Sequence, residues 1–181
     1  SAVKQIAQSI EKDCLIISES TSYPGTLGQI ISKQIAIETK NSKFKIEFGV
    51  APERIDPGNT YWDLKKTPRI VSGLTRISKE KTREFYGQFC DEVVLVDSVE
   101  IAEMAKLLEN TYRLINISFI NEFSEICSKM DISANKVISA ANTKPYGFQK
   151  FSPGLGVGGH CIPIDPLYLQ YVAKKNDTIS N

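Results

Sequence analysis

The feature that most constrains the fold is a long stretch that contains no helix breaker. No proline or glycine occurs between Asp97 and Pro145. Through most of this stretch, apolar residues recur at spacings of three and four, which places them on one face of an α-helix. They are Ile101, Ala105, Leu108, Tyr112, Ile115, Phe119, Phe123, Ile126 and Met130. The pattern predicts one amphipathic helix of roughly 30 residues and ~45 Å, starting at a capping-box-like pair of Asp97 and Glu100.

An apolar stripe of this length must be covered by another surface. The chain after residue 130 predicts only short helices, the first of which begins at Ser133. We therefore expect the stripe to pack against a second copy of the chain, with residues 98–130 forming the interface of a homodimer. The alternative is that the helix packs on the N-terminal part of its own chain.

The N-terminal part shows a different pattern, in which short apolar runs alternate with helical segments. This alternation predicts a parallel α/β sheet. The helix before the last strand has Ser78 as its predicted cap and extends to Phe89. The predicted strands are residues 14–18, 45–50, 69–73 and 92–97. The expected architecture is an α/β domain over residues 1–97, followed by an all-α domain over residues 98–181 that is built on the long helix.

The composition is ordinary for a globular domain and argues against several classes of function. The net charge is +1, and lysines and arginines do not cluster, so no nucleic-acid partner is expected. No apolar run approaches the ~18 residues of a membrane span, so no membrane partner is expected. The four cysteines lack zinc-like spacing and the chain has one histidine, so no metal site is expected. We expect a cytoplasmic protein with reduced thiols.

A glycine-rich loop over residues 151–166 (FSPGLGVGGHCIPIDP) carries the residues best suited to chemistry. Its glycines permit positive φ angles and a close approach of the backbone to a ligand. Pro166 suits the first position of a helix, and Asp165 is its predicted N-cap. A thiol just ahead of a helix N-terminus experiences a positive potential that lowers its pKa, so we interpret Cys161 as a nucleophile. The alternative is a buried, inert cysteine.

Other interpretations of this region are weaker. Residues 154–159 satisfy the pattern G-x-G-x-x-G, but no strand precedes them and Pro163 blocks a helix directly behind them. They therefore do not form a dinucleotide-binding fingerprint. His160 neighbours Cys161, but adjacent side chains point apart, which disfavours a catalytic dyad. The other cysteines lie in apolar runs or near helix ends and are predicted to be structural; they are Cys14, Cys90 and Cys127.

A line of polar residues lies near the start of the long helix. Glu103, Lys106 and Asn110 fall on one face, and Asn121 continues it. A solvated face explains such a line equally well. If the line faces the glycine-rich loop instead, Lys106 is the cation that stabilises a Cys161 thiolate.

Four segments together resemble the UDP-glucose/GDP-mannose dehydrogenase family. Residues 156–166 (GVGGHCIPIDP) resemble its active-site loop, and residues 103–113 (EMAKLLENTYR) resemble the start of its long central helix. Residues 19–26 (ESTSYPGT) and 51–58 (APERIDPG) are similar to its Ser-Thr turn and its Pro-Glu loop. Together with residues 143–148 (TKPYGF), they look most like the branch that oxidises UDP-N-acetylhexosamines, the N-acetylglucosamine 6-dehydrogenases in particular.

The resemblance implies that a sugar C6 alcohol is oxidised to a carboxylate in a four-electron reaction that uses two NAD+ in turn. In this scheme Cys161 captures the intermediate aldehyde as a thiohemiacetal, which a second oxidation converts to a thioester for hydrolysis. Lys106 and Asn110 would hold the oxyanion that develops at C6 and contact the substrate.

The resemblance also assigns residues around these three. Asp165 would orient or deprotonate water, helped by Thr21 and Glu53, which also lie on the cofactor side. Gly158 and Gly159 would contact the substrate through their backbone. The configuration of the sugar at C2 and C4 does not follow from these residues.

Departures from the family pattern concern single positions and the extent of the chain. Pro57 and Ile164 stand where UDP-glucose enzymes often have an acid and a lysine, which favours the N-acetyl branch; Leu155 replaces a proline common in that branch. The resemblance implies a preceding Rossmann segment with its own fingerprint and a following nucleotide-sugar domain. We therefore expect the chain to be an internal piece, the rear of a Rossmann-like NAD domain plus the central helical domain, and to be inactive alone.

Three rival hypotheses remain open from the sequence. A dimerisation module with a structural glycine connector predicts a Cys161 thiol no more reactive than that of Cys14. A thiol-redox protein is disfavoured because no resolving cysteine lies close to Cys161 in sequence. A nucleotide-binding module without chemistry would also suit Lys106 and Asn110.

Overall fold

A computed structural model of the chain describes residues 2–40, 43–56 and 58–178. The chain forms two compact units, residues 1–107 and 108–181. Pro57, which favoured the N-acetyl branch, lies outside the described residues. The predicted boundary after Asp97 separates two functional domains, which need not coincide with compact units. That boundary stays a prediction.

Strands and helices alternate through the first unit, while the second is helical. The strands are β1 (Cys14–Ser18), β2 (Ile46–Val50), β3 (Arg69–Gly73) and β4 (Val93–Leu95). The helices of the first unit are α1 (Ala2–Gln8), a π-helical stretch (Thr26–Ile31) that continues into α2 (Ser32–Glu38), and α3 (Arg76–Tyr86). The long helix α4 (Val99–Lys129) begins in the first unit, and α5 (Ala134–Ala141) and α6 (Asp165–Lys175) follow in the second.

The sheet has the order β1-β2-β3-β4 and is mixed rather than fully parallel. β1 pairs with β2 and β3 with β4 in parallel, but β2 and β3 are antiparallel, with Val50 opposite Ser72. The α/β class is confirmed, whereas the prediction of an all-parallel sheet is wrong at this one pairing. Parallel neighbours need a long crossover, usually a helix, and the described residues between β2 and β3 contain no helix. As a consequence, Arg69 at the start of β3 lies at the edge where β2 ends.

Both faces of the sheet are covered. On one face, Leu27 and Val50 pack with Val99 and Ala102 at the start of α4. On the other face, Val71 packs in a cluster with Tyr86 of α3, Ala51 and Cys90. Because successive strand residues point to opposite faces, one short sheet supports two apolar clusters.

The helix starts differ from the predicted ones by a few residues. α3 begins at Arg76, and its cap is Thr75: the Ser78 N–H donates to Thr75 Oγ1 at 3.0 Å, and the Thr75 N–H donates to Ser78 Oγ at 2.9 Å. The predicted cap Ser78 is therefore the partner inside the helix, and its end at Phe89 was also placed too late. At α4 the Ile101 N–H donates to Ser98 Oγ at 3.3 Å, which gives Ser98 the capping role predicted for Asp97.

The long helix itself is confirmed, since α4 contains 31 residues. In the second unit, its buried positions are Asn110, Ile120 and Cys127. Five side chains of the predicted apolar stripe are more than half exposed: Leu108, Ile115, Phe119, Ile126 and Met130. Among the described residues, no helix is long and apolar enough to span a bilayer.

Gly73 provides a test of the packing between β3 and α3. A Cβ added there would lie 2.3 Å from the backbone nitrogen of Lys79, so a side chain cannot be accommodated without moving the helix start. We expect Gly73→Ala to lower the free energy of unfolding of the intact protein by at least ~2 kcal/mol, measured by urea denaturation. Gly154→Ala is the control, because the nearest atom to its Cβ lies 4.0 Å away; the expected change is below ~0.5 kcal/mol. Equal stability of the two variants would contradict this account.

Candidate functional site

Side chains at separate positions of α4 hold the glycine-rich loop of the second unit against this helix. The Gly154 N–H donates to Asn121 Oδ1 at 2.9 Å. The Tyr112 hydroxyl donates to Gln149 Oε1 at 2.7 Å, and the Tyr112 ring meets the edge of Phe151. These contacts hold residues 149–154 against α4. The helix therefore also positions the glycines that come next in the sequence.

Gly158 and Gly159 need glycine for their backbone conformation. Their φ angles are 66° and 74°, in the left-handed region that other residues rarely adopt. A Cβ at either position would meet nothing within 4 Å, so the space around them does not demand glycine. Both residues are exposed, which leaves their backbone open to a ligand.

Cys161 follows these glycines and is exposed. Cys90 and Cys127 are buried and Cys14 is half-buried. Burial raises the pKa of the Cys14 thiol, with a smaller contribution from Asp13, and burial likewise raises the pKa of Cys90. The alternative of a buried Cys161 is therefore wrong, whereas its reactivity stays a prediction. The other three thiols are less accessible than that of Cys161.

Asp165 is the first residue of α6 rather than its cap. Residues 161–164 already form a turn, in which the N–H groups of Ile164 and Asp165 both donate to the Cys161 carbonyl, at 3.0 and 2.8 Å. The Asp165 carboxylate is buried and accepts a hydrogen bond from Asn110 Nδ2. Two predicted site residues 55 positions apart are thus in direct contact.

The polar line at the start of α4 is not a solvated face. Glu103 is 2% exposed, and its carboxylate accepts the N–H groups of Gly25 at 2.7 Å and Leu27 at 3.0 Å. Burial raises the pKa of this carboxyl above its usual value, although these two N–H groups oppose the shift. Lys106 is half-buried and forms no ion pair within the part of the chain that the structure describes.

Glu103 acts as an external cap for the segment that follows the Ser-Thr turn. The N–H groups it accepts belong to the N-terminus of the π-helical stretch, where donors lack partners within the helix. A third contact comes from the Ser22 hydroxyl at 3.5 Å. Thr21 precedes Ser22 in the sequence and is half-buried. Its hydroxyl has no hydrogen-bond partner among the described residues.

The Pro-Glu loop lies beside the Ser-Thr turn at the carboxyl edge of β1 and β2. The Glu53 N–H donates to the Glu19 carbonyl at 3.1 Å. The Glu53 carboxylate accepts the N–H groups of Arg54 and Ile55, and Arg69 Nη1 donates to its second oxygen at 2.7 Å. Partial burial acts to raise the pKa of Glu53, but Arg69 and the two N–H groups outweigh it and hold the pKa below its usual value.

Comparison with known protein families gives the same assignment for both parts of the chain. Residues 1–90 match the NAD binding domain, and residues 100–180 the central domain, of the UDP-glucose/GDP-mannose dehydrogenase family. The chain belongs to this family. The resemblance noted from the four motifs is thereby confirmed, and the match to the NAD-binding domain supports NAD as the cofactor of the family.

Individual relatives within the family are named for N-acetylated sugars. The chain is 38% identical to a UDP-N-acetyl-D-mannosamine dehydrogenase of Methanococcus maripaludis, over 98% of this chain and 39% of the relative. It is 37% identical to the enzyme of that name from Campylobacter jejuni, over 94% of this chain and 43% of the relative. The solved structure of the Pyrococcus horikoshii UDP-D-ManNAc dehydrogenase superposes with a TM-score of 0.85 at 32% identity, and covers 96% of this chain and 41% of that one. The chain thus spans about two fifths of these relatives.

The first unit also holds a group of side chains that the sequence did not predict as a group. Arg69, Tyr86 and Glu19 form a hydrogen-bonded network with Glu53. A signal was available for Arg69, which is a cation at the first position of a strand that contains no other charge. No group of three or more His, Cys, Asp or Glu side chains that could hold a metal occurs in the described ranges.

The raised pKa of Glu103 predicts a characteristic pH dependence of stability. A folded-state pKa above the unfolded value gives a stabilisation that is complete below the unfolded pKa of about 4.3 and is lost as the pH rises through the folded pKa. The stability of the wild type minus that of Glu103→Gln should therefore decrease as the pH rises above the unfolded pKa. Urea denaturation of the intact protein at a series of pH values from about 4 upward measures it.

Glu122→Gln is the matched control for Glu103→Gln, since Glu122 is an exposed carboxylate of the same helix. Its stability difference from the wild type should stay nearly constant with pH. An advantage of Glu103 over Gln that grows toward neutral pH would contradict the raised pKa.

Proposed function

We propose that the chain is part of an NAD-dependent dehydrogenase that oxidises the C6 alcohol of a UDP-N-acetylhexosamine to the uronic acid. The observation that carries this proposal is the arrangement in the second unit. Cys161 is exposed and comes shortly after two glycines whose backbones are accessible. The turn that begins at Cys161 leads into Asp165, whose buried carboxylate accepts a hydrogen bond from Asn110. The family assignment supports the class of reaction, while the covalent mechanism and the sugar are our inference.

Cys161 is the proposed nucleophile. The C6 alcohol first loses a hydride from carbon and a proton from oxygen, which gives the aldehyde. The Cys161 thiolate then adds to the aldehyde carbon, forming a C–S bond, and the resulting oxyanion is the group that the site must stabilise. Loss of the remaining C6 hydrogen as a second hydride re-forms the C=O bond and gives a thioester. Water releases the carboxylate and returns the thiol. NAD, when bound, supplies the acceptor for each of the two hydrides.

Asn110 and Asp165 are proposed to hold the oxyanion and the water. One N–H of the Asn110 amide donates to Asp165, which fixes the amide orientation and leaves its second N–H for an oxyanion. Asp165 orients the water that cleaves the thioester, and Lys106, one turn before Asn110 on α4, supplies the positive charge. Without its carboxylate partner, the buried amide would lose this fixed geometry.

The residues at the sheet edge fit NAD as a partner. Ligands of open α/β sheets bind beyond the carboxyl ends of the strands, where the Ser-Thr turn and the Pro-Glu loop lie side by side. The free hydroxyl of Thr21 can donate or accept, and the Glu53 carboxylate, kept ionised by its lowered pKa, accepts hydroxyl donors. Thr21 and Glu53 would therefore hold the ribose side of the dinucleotide. A lowered pKa disfavours Glu53 as a general base, so we assign it positioning rather than proton transfer.

The identity of the hexosamine is the finest part of the proposal. The motifs alone favoured UDP-N-acetylglucosamine. The relatives described above carry the name of the mannosamine epimer instead, so UDP-N-acetylmannosamine is the first substrate to test. We expect the 181 residues alone to be inactive, since they span about two fifths of these relatives.

The covalent route is tested by NADH formation in the full-length protein. UDP-N-acetylmannosamine, UDP-N-acetylglucosamine and UDP-glucose are supplied in limiting amounts, and NADH is measured by absorbance. We expect two NADH for each N-acetyl sugar consumed, and a decrease in kcat of at least ~10³-fold in Cys161→Ala because the nucleophile is lost.

Cys14→Ala controls for general effects of removing a thiol and should retain wild-type stoichiometry. One NADH per sugar, or full activity of Cys161→Ala, would contradict the covalent mechanism. If no sugar gives NADH, a dimerisation module with a structural glycine connector becomes the better hypothesis for the function of the chain.

We also propose that the full protein is a homodimer that buries the exposed apolar side chains of α4. Five of these side chains in the second unit are more than half exposed, and Phe119 stacks with Phe123 in a tilted aromatic pair. Exposed apolar residues in a continuous stripe are typical of protein interfaces. A second copy is the proposed occupant because an identical stripe is self-complementary about a twofold axis.

Phe119→Glu tests this interface. A charge in the stripe should weaken self-association of the full-length protein by at least ~10-fold, measured by sedimentation at several concentrations. Glu125→Gln, a change at an exposed polar position of the same helix, should leave the association constant unchanged. A dimer of wild-type affinity in Phe119→Glu would exclude this face as the interface.

A further inference from the structure

Arg69 is the most buried charged side chain of the first unit outside the residues already assigned a role. It is 2% exposed, although arginine is rarely this buried unless it is paired. Its Nη1 donates to Glu53 Oε2 at 2.7 Å, and its Nη2 donates to Glu19 Oε1 at 2.5 Å. The guanidinium lies 4.8 Å from the ring centroid of Tyr86, and the Tyr86 hydroxyl also donates to Glu19 Oε1.

The antiparallel pairing of β3 explains how this cation reaches the two carboxylates. Glu19 follows the end of β1, and Glu53 follows the end of β2. In an all-parallel sheet the first residue of β3 would lie at the opposite edge. Since β3 runs the other way, its first residue, Arg69, lies at the edge where β1 and β2 end.

The two carboxylates line a cleft and are only partly exposed. A space of about 580 Å³ opens beside them, with Tyr86 and apolar side chains such as Ile17 and Phe89 in its walls. The side chains of Glu19 and Glu53 are 54% and 44% exposed, whereas their common partner Arg69 is hidden. The carboxylates of Glu19 and Glu53 therefore border a space large enough for a ligand, while the buried Arg69 binds both of them from the interior.

A purely structural role explains this arrangement poorly. Desolvating a guanidinium is costly, and apolar residues of similar volume often stabilise a fold as well or better. The cost is increased here because Arg69 Nε is buried without a hydrogen-bond partner in the described structure. A planar fork that fixes two carboxylates at once is what arginine provides and lysine does not.

We propose that Arg69 is a positioning residue for the dinucleotide, which acts by fixing the Glu53 carboxylate at the sheet edge as an acceptor for the hydroxyl groups of the ligand. This inference rests on the proposed role of Glu53 in holding NAD. Glu53 Oε1 is already occupied by two backbone N–H groups, so the remaining acceptor site is on Oε2, the oxygen that Arg69 orients. A carboxylate released from Arg69 can rotate away from the ligand.

The test is a double-mutant cycle on NADH binding by the full-length protein without sugar, followed by NADH fluorescence. Arg69→Lys keeps the charge but loses the fork, and Glu53→Gln removes the charged acceptor. We expect each to raise the NADH dissociation constant about 10-fold, which is typical of one lost charge-assisted hydrogen bond. The double variant should bind within about 2-fold of Glu53→Gln, because Arg69 acts through Glu53.

Two further variants keep the outcome decisive if Arg69→Lys folds poorly. Glu53→Asp shortens the carboxylate, so that it cannot reach Arg69 and both N–H groups, and should raise the dissociation constant as Arg69→Lys does. Glu84→Gln is the control, because Glu84 is an exposed carboxylate of α3 outside the cleft walls; this variant should bind NADH within about 2-fold of the wild type.

Either of two results would overturn the inference. The factors for Arg69→Lys and Glu53→Gln could multiply in the double variant, or Arg69→Lys could lower the melting temperature with no change in NADH affinity. NADH binding is measured without sugar, so its failure is distinguishable from a failure of the proposed sugar oxidation, which the NADH stoichiometry tests separately.

Discussion

A buried carboxylate must receive hydrogen bonds, because an unpaired charge in the interior costs several kcal/mol. This chain satisfies two such carboxylates with donors distant in sequence. Glu103 receives N–H groups from Gly25 and Leu27, and Asp165 receives the amide of Asn110. Each contact fixes a loop as a consequence: the first anchors the Ser-Thr turn, and the second anchors the turn that follows Cys161. Within each unit, a residue of α4 therefore holds the loop: Glu103 in the first unit and Asn110 in the second.

The single antiparallel pairing of the sheet is a second constraint with local consequences. It brings the first residue of β3 to the carboxyl edge, so that Arg69 can meet Glu19 and Glu53 at once. The arrangement also explains why the pKa of Glu53 is lowered while that of Glu103 is raised. Glu53 meets a cation and remains partly solvated, whereas Glu103 is desolvated and receives only neutral donors. Two carboxylates in one unit thus acquire opposite electrostatic environments from their partners.

Periodicity predicted the elements well and their environments poorly. The long helix and the strand at residues 69–73 were predicted with nearly their observed bounds, since glycine and proline positions and apolar spacing decide them. The burial of Glu103 was not predictable in this way, because a polar side chain on a helix has the same spacing whether it meets water or two N–H groups. The antiparallel register of β3 was missed for a related reason: a 2.0-residue strand period carries no direction. The motif at Cys161 indicated a site, but only the structure showed that this thiol is exposed.

The partners of the carboxylates also bear on how the work is divided in the proposed mechanism. A general base near neutral pH needs a pKa close to the working pH, and Arg69 moves the pKa of Glu53 in the other direction. Glu53 is thereby suited to accept hydroxyl groups and unsuited to take a proton from water. Asp165 accepts a hydrogen bond from Asn110, and its N–H donates to the carbonyl of Cys161. Of the predicted residues, Asp165 is therefore the better placed to orient the water that cleaves the proposed thioester, because it shares a turn with the cysteine on which that thioester would form.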